Sequence, residues 1–132
     1  MRPAVILVVD DEVLVRNFLV RVLTLNGYTV IAAADGMEAL EMLREFAGTI
    51  DILLMDVEMP RLNGFTLAQQ IHRESDKIKF IFMSGKFQMF IEMLPANSQL
   101  KNFIEKPFQL NALLEMVQRI LAEPPTPHEP QP

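Results

Sequence analysis

Five short apolar runs punctuate the chain, and amphipathic stretches fill most of the gaps between them. The runs are "AVILVV" (residues 4–9), "YTVIAA" (28–33), "IDILLM" (50–55), "IKFIFM" (78–83) and "KNFIE" (101–105). Short segments rich in β-branched or aromatic residues predict strands, and the continuously apolar ones predict strands covered on both faces. Residues 12–25 place Val13, Leu14, Phe18, Leu19, Val22 and Leu23 in a helical stripe, which Asn26-Gly27 ends. "DGMEALEMLREF" predicts a second helix, with Asp35 as N-cap and Glu38 completing a capping box. "GFTLAQQIHRE" predicts a third and "QLNALLEMVQRILAE" a last. Between the final two strands, "KFQMFIEMLPANSQ" predicts a short fourth helix. It should end at or before Leu94, because Pro95 disfavours helical geometry in the residue ahead of it.

Strand alternates with helix along the whole chain. That pattern predicts an α/β fold, a doubly wound five-stranded parallel sheet with helices on both faces. Residues 1–123 are expected to form this one domain. The proline-rich "PPTPHEPQP" of residues 124–132 is expected to be an extended, disordered tail.

Composition narrows the function. The chain has 132 residues, half of them hydrophobic, enough for one domain with a real core. Net charge is −5 and the basic residues are scattered, which argues against nucleic acid as a partner. There is no cysteine, so disulfides and thiolate metal sites are excluded. No apolar run approaches the ~20 residues of a membrane span. The opening "MRPAVILVVDDE" lacks the long apolar region and cleavage site of a signal peptide. A cytoplasmic location without membrane association is expected.

In open α/β sheets, ligands bind beyond the carboxyl ends of the strands. The residues there are Asp10-Asp11-Glu12 after the first strand, Asp56 after the third, Ser84-Gly85 after the fourth and Lys106-Pro107 after the fifth. Taken singly, these are ordinary caps, turn residues and solvated charges. Taken together, they bring several acids, one hydroxyl and one amine to a single edge. Clustered carboxylates repel and need a cation. With no His or Cys nearby, all-oxygen ligands favour a hard cation such as Mg²⁺, which also binds phosphate oxygens. A carboxylate is also a competent nucleophile towards phosphorus.

The set Asp10-Asp11, Asp56, Ser84 and Lys106-Pro107-Phe108 on five strand–helix repeats resembles a response-regulator receiver domain of two-component signalling, of the CheY-like kind. The resemblance covers residues 4–123. It implies a flavodoxin-like sheet of order 2-1-3-4-5 and a module that catalyses only its own phosphorylation and dephosphorylation. By motif, Asp56 is the expected phosphoacceptor, with Ser84 and Lys106 contacting the phosphoryl group. Asp10, Asp11, Asp56 and the backbone carbonyl of Glu58 are the expected Mg²⁺ ligands. Ser84 and Phe103 are the expected switch residues, Phe103 being the aromatic that turns inward on phosphorylation. "MPRLNG" resembles the loop after the acceptor, and the Lys106-Pro107 bond is expected to be cis.

The implied phosphodonor is a histidine kinase or phosphotransfer protein. The implied output is an effector protein or a homodimer, bound through the face of the fourth helix, fifth strand and last helix. Phe87, Met89, Phe90, Ile91, Met93 and Leu94 would make that face apolar. No output domain follows the last helix, so either a stand-alone regulator or a receiver excised from a longer protein is expected. Glu58 and Lys86 either pair across the mouth of the site or stand as two independent solvated side chains. Two features depart from the family: Gln99-Leu100 stands where receivers usually carry Gly-Ala, and the switch aromatic is Phe rather than Tyr. A phosphatase of the haloacid dehalogenase type would need Asp-x-Asp after the first strand, where this chain has "DDEV". A receiver that is never phosphorylated would not be expected to keep the whole set.

Overall fold

The computed structural model describes residues 2–46, 48–58, 64–74, 77–86 and 102–124. In chain order they form β1 (Val5–Val9), α1 (Val13–Leu25), β2 (Thr29–Ala33), α2 (Gly36–Glu45), β3 (Ile52–Asp56), α3 (Gly64–Glu74), β4 (Lys79–Ser84), β5 (Phe103–Glu105) and α4 (Leu110–Ala122). The expected helix after β4, with Pro95 and Gln99-Leu100, lies outside the described residues. So do the first five residues of "MPRLNG" and the tail beyond Pro124.

The strands form one parallel sheet of order β2-β1-β3-β4-β5, as expected. Successive side chains of a strand point to opposite faces, so each strand feeds two cores. Leu7, Val9, Leu53, Met55, Phe80 and Phe82 pack with Ala39 and Leu43 of α2 and Leu67, Ala68 and Ile71 of α3. Ile6, Val8, Ile52, Leu54, Ile81 and Met83 pack with Leu19 and Leu23 of α1 and Leu113, Val117 and Ile120 of α4. Right-handed crossovers require this division. The chain steps one way from β1 to β2 and the other way from β2 to β3 and β4. Hence α1 must lie on the face opposite α2 and α3.

Local signals explain the helix ends. The Asp35 carboxylate accepts from the Glu38 amide at 2.9 Å, and the Glu38 carboxylate accepts from the Ala34 amide at 3.2 Å. This closes a capping box one residue wider than expected. Gly27, just past α1, has φ 93°, a left-handed conformation that suits glycine.

Two expectations are corrected. First, β3 and β4 run one residue further, so Asp56 and Ser84 are the last residues of their strands. Asp56 still pairs with Met83 and Ser84 with Glu105. Bonds just beyond, Val57 N–H to Met83 O (3.1 Å) and Lys106 N–H to Ser84 O (2.8 Å), keep both ladders closed. Second, the apolar stripe of α1 is buried only towards its far end. Leu19 and Leu23 are fully covered, but Val13 is 55% exposed, Leu14 85% and Phe18 52%. The helix starts beside the carboxyl end of β1, so its first turns stand at the sheet edge where there is little core to cover them.

The amino end of β4 is tied to α4. The Lys79 ammonium donates to the carbonyl of Ile120 at 2.9 Å and also to that of Glu123. These carbonyls belong to the last turn and cap of the helix, where a cation also meets the negative end of the helix dipole. Lys79→Met keeps the apolar stem and removes the donors. Its expected cost is about 1 kcal/mol, or roughly 4 °C in melting temperature. Amide exchange should rise first in the last turn of α4, and an unchanged exchange pattern there would contradict this anchoring role.

Candidate functional site

The chain reverses its direction of travel across the sheet between β1 and β3, and their carboxyl ends flank the crevice that such a reversal opens. Asp10 immediately follows β1, and Asp56 ends β3. Together with Asp11 they offer carboxylate oxygens within 4.8 Å of one another. Asp10 and Asp56 are buried, at 0% and 3% exposure, whereas Asp11 faces solvent.

Two buried acids in one crevice need compensation. Lys106, arriving from the end of β5, supplies it. Its ammonium lies 2.9 Å from Asp56 Oδ2, 3.1 Å from Asp10 Oδ2 and 4.0 Å from the exposed Glu12. The second oxygen of each buried acid accepts a backbone amide two residues on. Asp10 Oδ1 takes the Glu12 N–H (2.9 Å), and Asp56 Oδ1 takes the Glu58 N–H (2.8 Å). Asp10 therefore serves the site and does not cap α1; Glu12 holds the N-cap position, without a side-chain cap bond. The Arg16 guanidinium donates to the Asp10 carbonyl at 2.8 Å and fixes the turn that presents both acids.

Burial pushes the Asp56 carboxyl above its ordinary range, and the Glu58 amide and Lys106 only partly pull it back. Burial alone would lower the pKa of Lys106. The hydrogen bonds and charges of Asp56 and Asp10 outweigh that effect and raise it. Three carboxylates against one ammonium leave two negative charges uncompensated when all are ionised. The donors are all oxygen, and the cluster lies beside an exposed acid open to solvent. A hard divalent cation fits that set in charge and in ligand type.

The structure thus brings Asp10, Asp11, Asp56 and Lys106 together, as the sequence suggested. Ser84 ends the intervening strand β4, fully buried. Its hydroxyl donates to Glu58 Oε1 at 2.8 Å. The same carboxylate oxygen accepts the backbone N–H of Lys86 at 2.9 Å. Of the two readings of Glu58 and Lys86, the ion pair is absent among the described ion pairs, and the two residues meet through the Lys86 amide. Phe103 is 8% exposed, its ring 5.3 Å from that of Phe82. The inward position is thus already filled in this conformation. The Lys106-Pro107 bond is cis, as expected.

Sequence reasoning missed Arg16 and the contact of the Glu58 side chain with Ser84. Arg16 had a usable signal, standing one helical turn after Glu12 and so beneath the acidic turn. The contact of Glu58 with Ser84 had none, because it depends on the turn after β3 meeting the end of β4.

Known proteins share this arrangement. The family model described as "Response regulator receiver domain" matches residues 6–118. The sensor kinase CckA of Brucella abortus is 43% identical over 119 residues, covering 89% of this chain and 12% of the kinase. The response regulator MprA of Mycobacterium ulcerans is 36% identical over 116 residues, covering 88% of this chain and 49% of that protein. The chain thus spans half or less of the length of these relatives. A chain in the crystal structure of the CheX–CheY–BeF3–Mg²⁺ complex from Borrelia burgdorferi superposes with a TM-score of 0.79 at 30% identity, covering 92% of either chain. Among the described residues, no helix is long and apolar enough to cross a membrane. A match of this extent, on a sheet of this strand order, makes the chain a member of the response regulator receiver domain family, CheY-like in fold and not a conventional enzyme.

Proposed function

We propose that this domain accepts a phosphoryl group on Asp56 from a phosphohistidine of a histidine kinase or phosphotransfer protein. The observation that carries the reading is the Asp56 carboxylate, nearly buried yet held 2.9 Å from the Lys106 ammonium within the acidic cluster. An Asp56 oxygen attacks phosphorus, the P–N bond breaks, and its electron pair leaves with the imidazole. An acyl phosphate results. Hydrolysis reverses the modification: water attacks phosphorus, and Asp56 departs as carboxylate with release of inorganic phosphate.

Each neighbour has a task in that chemistry. Lys106 neutralises charge on the phosphoryl oxygens, at the developing charge where fixed donors matter most. Asp10, Asp11 and Asp56, with the Glu58 backbone carbonyl, would hold Mg²⁺, which when bound supplies positive charge to the phosphoryl oxygens. Ser84 gives its hydroxyl proton to one of them. Because the Ser84 carbonyl accepts from Lys106 and Phe82 pairs with Phe103, a shift at Ser84 passes to β5. From there it reaches the surface of the expected fourth helix, β5 and α4, which would bind an effector or a second copy.

A protein phosphodonor suits the surroundings. Val13, Leu14 and Phe18 form an exposed apolar group on the first turns of α1, within a few residues of Asp10 and Asp11. A small phosphodonor has no use for such a surface. The kinase relative CckA supports the same class of donor.

The charge balance has a consequence for stability. A carboxyl whose folded pKa lies above its unfolded value binds more proton when folded, so its contribution declines as pH rises through that window. Ionised Asp56 thus costs stability at neutral pH. Lys106 has the opposite sign of benefit. Its raised pKa contributes stability fully present below its ordinary value and lost as pH rises through the folded value.

Four outcomes are expected. With Mg²⁺ and a small phosphodonor, intact mass should show one phosphate on the wild type and none on Asp56→Asn. A persistent adduct on that variant would refute the assignment of the acceptor. Asp56→Asn should also melt higher, by about 4 °C for a gain of ~1 kcal/mol. Mg²⁺ should raise the melting point of the wild type by ligand linkage and leave Asp11→Asn nearly unmoved. Finally, Phe18→Asp should slow transfer from a phosphorylated histidine protein far more than labelling by the small donor. Equal slowing of both would argue against α1 as the donor's seat.

A further inference from the structure

We propose that Glu58 is an internal stand-in for the phosphoryl group: its carboxylate occupies the hydrogen bonds of Ser84 and the Lys86 amide in the resting state and must be displaced before phosphorylation. The inference rests on the reading of Asp56 as acceptor and adds a brake to that site.

The geometry is specific. Glu58 contacts the acceptor with its backbone, giving its N–H to Asp56 Oδ1 at 2.8 Å, and turns its side chain to the neighbouring strand end. One carboxylate oxygen, Oε1, receives the Ser84 hydroxyl at 2.8 Å and the Lys86 N–H at 2.9 Å. The Lys86 N–H also reaches Ser84 Oγ, at 2.9 Å, so the three groups form a closed triangle. The same oxygen lies 3.9 Å from where a Cβ on Gly85 would stand, over the turn between the two donors. A carboxylate oxygen and a phosphoryl oxygen are acceptors of the same kind, anionic and suited to short hydrogen bonds from O–H and N–H.

Exclusivity follows from the donor inventory. A serine has one hydroxyl proton, so Ser84 serves Glu58 or a phosphoryl oxygen, never both. Ser84 is fully buried, whereas Glu58 is exposed and can swing out into solvent. The brake is therefore real but readily released. It sets the occupancy at which the site answers its donor, and leaves the chemistry of Asp56 untouched.

The experiment is a titration with beryllofluoride, a phosphoryl analogue, in saturating Mg²⁺, followed by amide NMR on the wild type, Glu58→Ala and Glu58→Asp. The aspartate keeps the charge but is one methylene too short to reach Ser84 and Lys86. A latch predicts that both variants bind about tenfold more tightly than wild type. It also predicts that the Lys86 amide resonance of both free variants moves upfield as the carboxylate acceptor is lost and only Ser84 Oγ remains. If only Glu58→Ala tightens and Glu58→Asp matches the wild type, the effect is bulk charge and the latch is refuted. Unchanged or weaker binding in both variants refutes it too. Binding by the wild type that Asp56→Asn abolishes would uphold the acceptor reading whatever the latch does. Failure of every protein to bind would overturn both.

Discussion

The ammonium of Lys106 is the interaction on which the site's geometry rests. Among the described side chains it alone bridges two buried carboxylates from two other strand ends, Asp10 after β1 and Asp56 at the end of β3. Lys106 itself follows β5, so in the order β2-β1-β3-β4-β5 its side chain must reach across the end of β4. The residues there are Ser84 and Gly85, which are small. A lysine has the long, flexible stem that such a span requires, whereas a guanidinium would bring a rigid fork to a place that needs a point charge. Removing Lys106 would strand both buried carboxylates, and an uncompensated buried charge typically costs about 3–5 kcal/mol. The three strand ends are thus clamped by charge as well as by the ladder. The clamp leaves the crevice with an excess of negative charge, which is what makes it hungry for a cation.

Much of this was legible in the sequence because the relevant physics is local. Continuous β-branched runs can be little else than strands buried on both faces, and the alternation of "AVILVV" and "IDILLM" with amphipathic helices determines a parallel sheet. The strand order that the family resemblance implied, and that the sheet has, then puts the carboxyl ends of β1 and β3 side by side, so that Asp10 and Asp56 meet. The parts that were not legible depend on what surrounds a residue. The stripe through Val13, Leu14 and Phe18 looks like core by spacing, yet the first turns of α1 stand at the sheet edge and leave it bare. The extension of β3 to Asp56 came from the neighbouring strand continuing to offer partners, which a single strand's composition does not reveal. The contact of Glu58 with Ser84 joins residues 26 apart through a choice of rotamer. No periodicity encodes that.

The two donors of the site differ in a way that divides their labour. The Lys106 ammonium carries three N–H groups, and two of them serve Asp10 and Asp56 here. It can meet a further acceptor without releasing those it has, so under the proposed function it would belong equally to the resting and the modified state. Ser84 has one proton and must choose. Its choice is not private, because its carbonyl accepts the Lys106 amide and the Phe82 ring beneath packs on Phe103. Whatever moves the Ser84 backbone moves the start of the loop after β5 and the aromatic pair below it. A site in which one group is common to both states and another is binary has the elements of a two-state device. Its equilibrium shifts only by the difference in affinity between acceptors. In the proposed latch, Glu58 would set that difference. A strong resting acceptor holds the domain off until a phosphoryl group arrives, and a weak one lets it drift between states unprompted.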